Sequence, residues 1–225
     1  LLHQVARDFK IHIYRDAEER RRLDFQVKEY KRSSSIKIFK VIPRGWNEYD
    51  RRYWEDKYGI TVPLLKFGKV YGVSELYLQN EEGDFKQLYS YRKDDPCYAY
   101  HGGKKKGINV WKFYFPLRKD GRRKFLSNYA FIYNADRILP SKIGIITKSA
   151  KDVLVYKKFG IEAIAVPSET YLMTKDEFFD FKSKFDIVFT NFDYDGAGIR
   201  LANKYKKVHK CTPLMLTRGR FGMPD

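Results

Sequence analysis

The chain has 225 residues, 43% of them hydrophobic and 17% aromatic, enough for one large domain or two small ones with a substantial core. That composition excludes a disordered or fibrous protein. Lys and Arg total 45 against 28 Asp and Glu, a formal charge of +17 that points to a polyanionic partner, nucleic acid first.

A membrane partner is not expected. No apolar run approaches the roughly 18 residues that a span needs, and no basic amphipathic helix is evident. The two cysteines, Cys97 and Cys211, form no CxxC pair, which argues against a zinc ribbon and a disulfide scaffold. They read as buried or half-buried thiols in a reducing cytoplasm. A start at Leu1-Leu2-His3 and an abrupt end at Met223-Pro224-Asp225 are expected of a piece of a longer protein, and no signal peptide is visible.

Residues 1–35 mix basic and acidic groups around Arg20–Arg22 and end in the break Lys31-Arg32-Ser33-Ser34-Ser35. They predict an N-terminal helical arm or linker with a solvated face. From Ile36 to about Tyr133 the texture changes to short apolar and aromatic runs in which β-formers alternate, the pattern of antiparallel strands. Turns are expected at Asn80–Asp84, Asp94-Asp95-Pro96, Gly102–Gly107 and Lys119-Asp120-Gly121. One helix interrupts, from Asn47 to about Tyr58, with Gly59 as a left-handed cap.

After Pro140 strand and helix alternate. Strand Ile143–Thr147 leads to a helix from Ala150 to Phe159, N-capped by Ser149 and closed by Gly160. Strand Glu162–Val166, helix Lys175–Lys184, strand Asp186–Asn191, helix Gly196–Lys207 and strand Pro213–Thr217 follow. Continuous apolar strands between amphipathic helices predict a parallel sheet covered on both faces. The expected organisation is therefore an arm over 1–35, a basic strand-rich α+β subdomain over 36–138, and an α/β domain over 139–225 that breaks off at its C-terminus.

Phe192-Asp193-Tyr194-Asp195-Gly196-Ala197-Gly198 stands where an apolar strand ends and a helix begins, the place where ligands gather in open parallel sheets. Asp193 and Asp195 are two apart, so in an extended segment they point the same way. Two convergent carboxylates suit Mg²⁺ or Mn²⁺, which prefer oxygen donors. The bland alternative is that Asp195 caps the helix and Asp193 is solvated. Further carboxylates are sought at neighbouring strand ends. Glu169 follows its strand directly, while Asp152 lies in the first turn of a helix and could equally serve the helix dipole.

These residues resemble a known family. Lys148-Ser149-Ala150-Lys151-Asp152-Val153, Gly160-Ile161 and Ala163-Ile164-Ala165, together with the Asp193–Gly198 segment, look like the Toprim domain over residues 141 to 225. Toprim domains occur in bacterial-type and phage DNA primases, topoisomerases and some nucleases. Trp46, Asp50, Tyr53-Trp54, Tyr58-Gly59-Ile60 and Leu64-Leu65 resemble the segment opening a phage primase polymerase core, and Pro96–Tyr100 and Trp111–Pro116 look like its strands. Arg123-Lys124-Phe125-Leu126-Ser127-Asn128 is similar to the basic Lys-x-x-x-Asn signature ahead of the Toprim part, and Asp225 to the start of a third acidic cluster. The family usually carries an acidic residue where this chain has Lys148.

The resemblance implies metal-dependent synthesis of short RNA primers on single-stranded DNA: a 3′-hydroxyl attacks the α-phosphorus of an NTP and releases pyrophosphate. Asp193, Asp195 and Glu169 would be catalytic and, with Asp152, would hold Mg²⁺ or Mn²⁺. Lys124, Asn128 and Arg123 would bind nucleotide or template, with Lys112, Lys148 and Lys151 as further cations. Single-stranded DNA and NTPs are the expected partners, a replicative helicase a further one, and the bacterial or phage-infected host cytoplasm the expected place. Tyr98, Tyr100, Trp111 and Tyr114 either stack bases or build the sheet core. A Toprim nuclease and a non-catalytic single-strand-binding module are the alternatives.

Overall fold

Residues 36–119 and 122–214 are described by the structure, a computed structural model. The expected arm over 1–35, the expected turn at 120–121, the last residues of the expected strand 213–217 and Asp225 lie outside the described residues.

The first part is an antiparallel sheet of six strands, β1 Phe39–Arg44, β2 Val70–Gln79, β3 Phe85–Ser90, β4 Tyr98–Lys105, β5 Ile108–Tyr114 and β6 Phe125–Ser127. They run in the order β1-β2-β4-β5-β6, with β3 also paired to β2. The helix expected from Asn47 begins as α1, Glu48–Arg51, and continues through a π turn at Arg52–Asp56. Asn47 caps it by accepting from the Asp50 backbone N–H at 3.0 Å, and Asp50 Oδ2 in turn accepts from the Asn47 N–H at 2.9 Å. Gly59 stops this helical run at a φ of 64°. A short helix, α2 Val62–Phe67, follows.

One expected turn is tighter than its sequence suggests. The strand β4 runs on to Lys105, and the chain reverses at Lys106-Gly107, where φ is 50° and 78°. Two positive φ values make the two-residue turn whose twist suits a hairpin. Gly102 and Gly103 belong instead to a register shift inside the β4–β5 ladder.

The second part is a parallel sheet of β7 Ser141–Thr147, β8 Glu162–Ala165, β9 Phe185–Thr190 and β10 Thr212–Pro213, in the order β10-β9-β7-β8. The connecting helices are α3 Ala150–Lys158, α4 Lys175–Lys182 and α5 Gly196–His209. Consecutive residues of a strand face opposite ways, so Ile145 and Ile146, both buried, serve two cores. Ile146 packs with Phe178 and Phe181 of α4 and Leu201 and Tyr205 of α5. Ile145 packs with Val153 and Leu154 of α3, and also with Trp54, Leu65, Tyr98, Tyr100 and Tyr133 from the first part. The position near residue 138 therefore separates two sheets that share a core. Tyr133 sews them together: it exchanges backbone hydrogen bonds with Ala165, at 2.8 and 3.1 Å, and its hydroxyl donates to the Gly68 carbonyl at 2.6 Å.

Both cysteines are buried free thiols. Burial pushes the Cys211 thiol up to about 11 and the Cys97 thiol higher still, so neither is reactive near neutrality. No helix among the described residues is long and apolar enough to cross a membrane.

Candidate active site

Strand order decides what meets at the carboxyl end of the parallel sheet. Lys148 follows β7, Glu169 follows β8, and Asp193 and Asp195 follow β9. The strand β7 lies between β9 and β8, so Lys148 emerges between the acidic residues. Its Nζ lies 2.5 Å from Asp193 Oδ2 and also donates to Glu169 Oε1. Glu169, Asp193 and Asp195 are exposed, and one carboxylate oxygen from each lies within 4.8 Å of the others. Burial works against the Lys148 charge, but the hydrogen bonds it donates to Asp193 and Glu169 outweigh it and hold the ammonium above its ordinary pKa.

Asp195 does two things at once. It is the N-cap of α5, accepting from the Gly198 N–H at 2.7 Å, and it is one of the three grouped carboxylates. That backbone hydrogen bond, followed by the Lys148 charge, holds its carboxyl below the usual range. Gly198 lies directly under Asp193: a Cβ at this position would stand 2.0 Å from the Asp193 carbonyl oxygen. The strand-to-helix turn that aims Asp193 is therefore open only to glycine.

Asp152, considered above as a further ligand, is not one of the three. It sits lower, in the first turn of α3, where its Oδ2 accepts from the Thr147 hydroxyl at 3.1 Å. Burial, the largest influence, raises its pKa, and the nearby Asp193 charge adds to that. Lys151 lies over the aromatic side of the cleft, its Nζ 4.2 Å from the centre of the Tyr58 ring and 5.7 Å from that of Tyr114.

The carboxylates stand on one wall of a cleft of about 420 Å³, and the other wall belongs to the antiparallel sheet. In that sheet Tyr100 is opposite Lys112 and Tyr114 is opposite Phe125, so all four share one face and all four line the cleft. Tyr114 and Phe125 stack at 5.0 Å with an angle of 17° between their rings, and Tyr53 holds the Tyr114 hydroxyl at 2.8 Å. Phe125 is 53% exposed, a flat apolar surface open to solvent. Lys112 has its Nζ 5.1 Å from the Phe125 ring centre, and burial lowers its pKa. Among the described residues no carboxylate forms an ion pair with it.

The residues singled out from the sequence thus divide. Lys112, Lys148, Lys151, Asp152, Glu169 and Asp193 line the cleft, with Asp195 beside it. Arg123 and Lys124 are exposed and are not among its lining residues. The Asn128 amide is spent on backbone: its Oδ1 accepts from the Trp111 N–H, and its Nδ2 donates to the Lys37 and Asn109 carbonyls, each at 2.9 Å. Trp111 points to the opposite face of the sheet, against Phe113 and His101. Phe125 was not singled out, although its place across the hairpin from Tyr114 follows from alternation once β5 and β6 are paired.

No family model matches the chain, and no curated protein matches it in sequence. Solved structures similar to it include two primases. The primase fragment of the bacteriophage T7 primase-helicase protein matches at a TM-score of 0.51 and 11% identity, over 77% of this chain and 69% of that one. The Aquifex aeolicus primase, with its zinc-binding and RNA polymerase domains, matches at 0.53 and 12%, over 77% and 51%. The chain therefore spans about half the length of the Aquifex structure. The mixed α/β architecture, with its parallel sheet and flanking helices, is the fold of bacterial and phage DNA primase cores.

Proposed function

We propose that the chain is the catalytic core of a DNA primase, with a Toprim domain over residues 139–225 and a template- and nucleotide-binding subdomain before it. The observation that carries this reading is the cleft itself. Glu169 and Asp193 stand on one wall, with Asp195 grouped beside them, and Lys112, Tyr114 and Phe125 stand on the other.

The donor set fits a hard divalent cation. All three groups are carboxylates, they are close enough to share an ion, and a cation, the Lys148 ammonium, is already drawn between two of them. Asp193 and Asp195, with Glu169, would hold Mg²⁺ or Mn²⁺. When bound there, such an ion supplies Lewis acidity and offsets charge on the phosphates and the attacking hydroxyl.

The remaining work falls to the protein's own groups. Lys112 and Lys151, both lining the cleft, neutralise phosphate oxygens there. The Tyr114–Phe125 pair offers a stacking surface for a base of single-stranded template or of the NTP. The Asp195 cap keeps the carboxylates in place through the rigid start of α5. Arg123 and Lys124 extend the basic track outside the cleft, where they guide the strand. The +17 charge supports a polyanionic template. A cytoplasmic site of action and a replicative helicase as partner follow from the same reading.

The test is incubation with NTPs, Mg²⁺ or Mn²⁺ and single-stranded DNA. Labelled oligoribonucleotides are the expected product. Shortened template would identify a nuclease instead, and a gel shift without chemistry a binding module.

A further inference from the structure

Lys148 differs from the other cleft cations in where its charge sits. It is the residue on which Glu169 and Asp193 both close. Its side chain is 18% exposed, against 41% for Glu169 and 53% for Asp193, so the lysine is the most enclosed of the three. An ion arriving from solvent meets carboxylates that Lys148 already bridges. It directly follows the central strand β7, between the strands whose ends lead to Glu169 and Asp193.

Charge then limits what the site can hold. Three carboxylates against one ammonium leave two negative charges, which one divalent ion neutralises. A second divalent ion would stand a few ångströms from a fixed positive charge and would share ligands with it. Opposed charges this close interact strongly even under partial screening, and like charges repel as strongly.

We propose that Lys148 is a built-in counter-ion that takes the place of one divalent cation, so that the site binds a single divalent ion through Asp193 and Asp195. In this arrangement Glu169, which assists that ion, also holds the lysine together with Asp193, and no carboxylate of the three is left for a second ion. Lys148 thereby acts as a positioning residue for Asp193 and supplies, permanently, positive charge that would otherwise be recruited from solution. The inference rests on the metal-site reading above.

Mn²⁺ alone is a sufficient probe, with bound ions counted by electron paramagnetic resonance and calorimetry and no nucleotide present. Ions belonging to the site are those lost in the Asp193→Asn/Asp195→Asn double variant. Wild type is expected to hold one such ion. Lys148→Glu is expected to hold two, and Lys148→Gln one, bound roughly tenfold more tightly because the repelling charge is gone. Two site ions in wild type, or unchanged stoichiometry in Lys148→Glu, overturn the lysine's role while leaving the metal site standing. No site ion in wild type or either variant overturns the metal reading, and this inference with it. Should circular dichroism show Lys148→Glu unfolded, the wild-type count and the affinity change in Lys148→Gln decide the matter.

Discussion

The Asp193 carbonyl oxygen occupies the space that a Cβ at residue 198 would fill, 2.0 Å from where that atom would be placed. The backbone on both sides is committed, by the end of β9 and by the cap of α5, so neither atom can yield cheaply. Gly198→Ala is expected to cost roughly 2 kcal/mol of stability and most of the catalytic activity. Gly196→Ala is the control. Its Cβ would meet only the Arg200 guanidinium, at 3.2 Å, which can swing aside. Thermal melts and primer synthesis on the pair check this, and equal behaviour of the two variants would sink the argument.

Asp193→Asn keeps the shape of the side chain and removes its charge. Primer synthesis is expected to fall by about a hundredfold or more, because a metal site is worth several kcal/mol of transition-state charge stabilisation. Binding to single-stranded DNA should be retained or strengthened, since a negative charge leaves the cleft. Wild-type synthesis by this variant would remove the metal site from consideration.

Lys112 is a charge held in a half-buried place without an acidic partner among the described residues. Burial lowers its pKa below the ordinary 10.5. A depressed folded-state value means stability present above the unfolded pKa and lost as pH falls through the folded one, so at pH 7 the ammonium weakens the fold. Lys112→Met is expected to raise the melting temperature at pH 7 by roughly 2–4 °C for each kcal/mol recovered, and the advantage should vanish above about pH 10.5. The same variant should bind single-stranded DNA or NTP more weakly. A variant that is both less stable at pH 7 and unchanged in binding would show that the amine has an unrecognised partner.

Asn128 and Lys124 resemble parts of one sequence signature, yet they stand in different chemistry. Asn128→Ala would strand the Trp111 N–H and two carbonyls, and is expected to destabilise the sheet by about 1–3 kcal/mol while leaving the salt dependence of DNA binding unchanged. Lys124→Ala should leave stability within about 0.5 kcal/mol and reduce the salt slope by about one. Denaturant melts beside binding titrations at several salt concentrations separate the two.

The parallel half was legible because β8 and the C-terminal half of β7 are buried on both faces. Ile145-Ile146, Ala163–Val166 and Phe189 make continuous apolar runs, and Ser149, Gly160 and Asp195 punctuate them at helix ends. Glu169 could be placed near Asp193 by asking which residues follow strands. What could not be read was the order of those strands in space. In the chain Glu169 comes between Lys148 and Asp193, while in the sheet Lys148 comes between the other two. Pairing across a hairpin hid Phe125 in the same way, and the Asn128 amide looked like a binding group because its backbone partners at Lys37 and Asn109 are 91 and 19 residues away.

The seam at Tyr133 bears on how the cleft meets its substrates. Its backbone is bonded to Ala165 of one sheet part and its hydroxyl to Gly68 of the other, over a core containing Trp54, Tyr98 and Leu154. The distance between the acidic wall and the aromatic wall is thus set when the chain folds, and the entropy of arranging them is lost then rather than at each encounter with a nucleotide. A fragment cut at residue 139 would lose one wall and leave Ile145, Val153 and Leu154 facing water. The two walls are expected to melt as a single cooperative unit in a thermal scan.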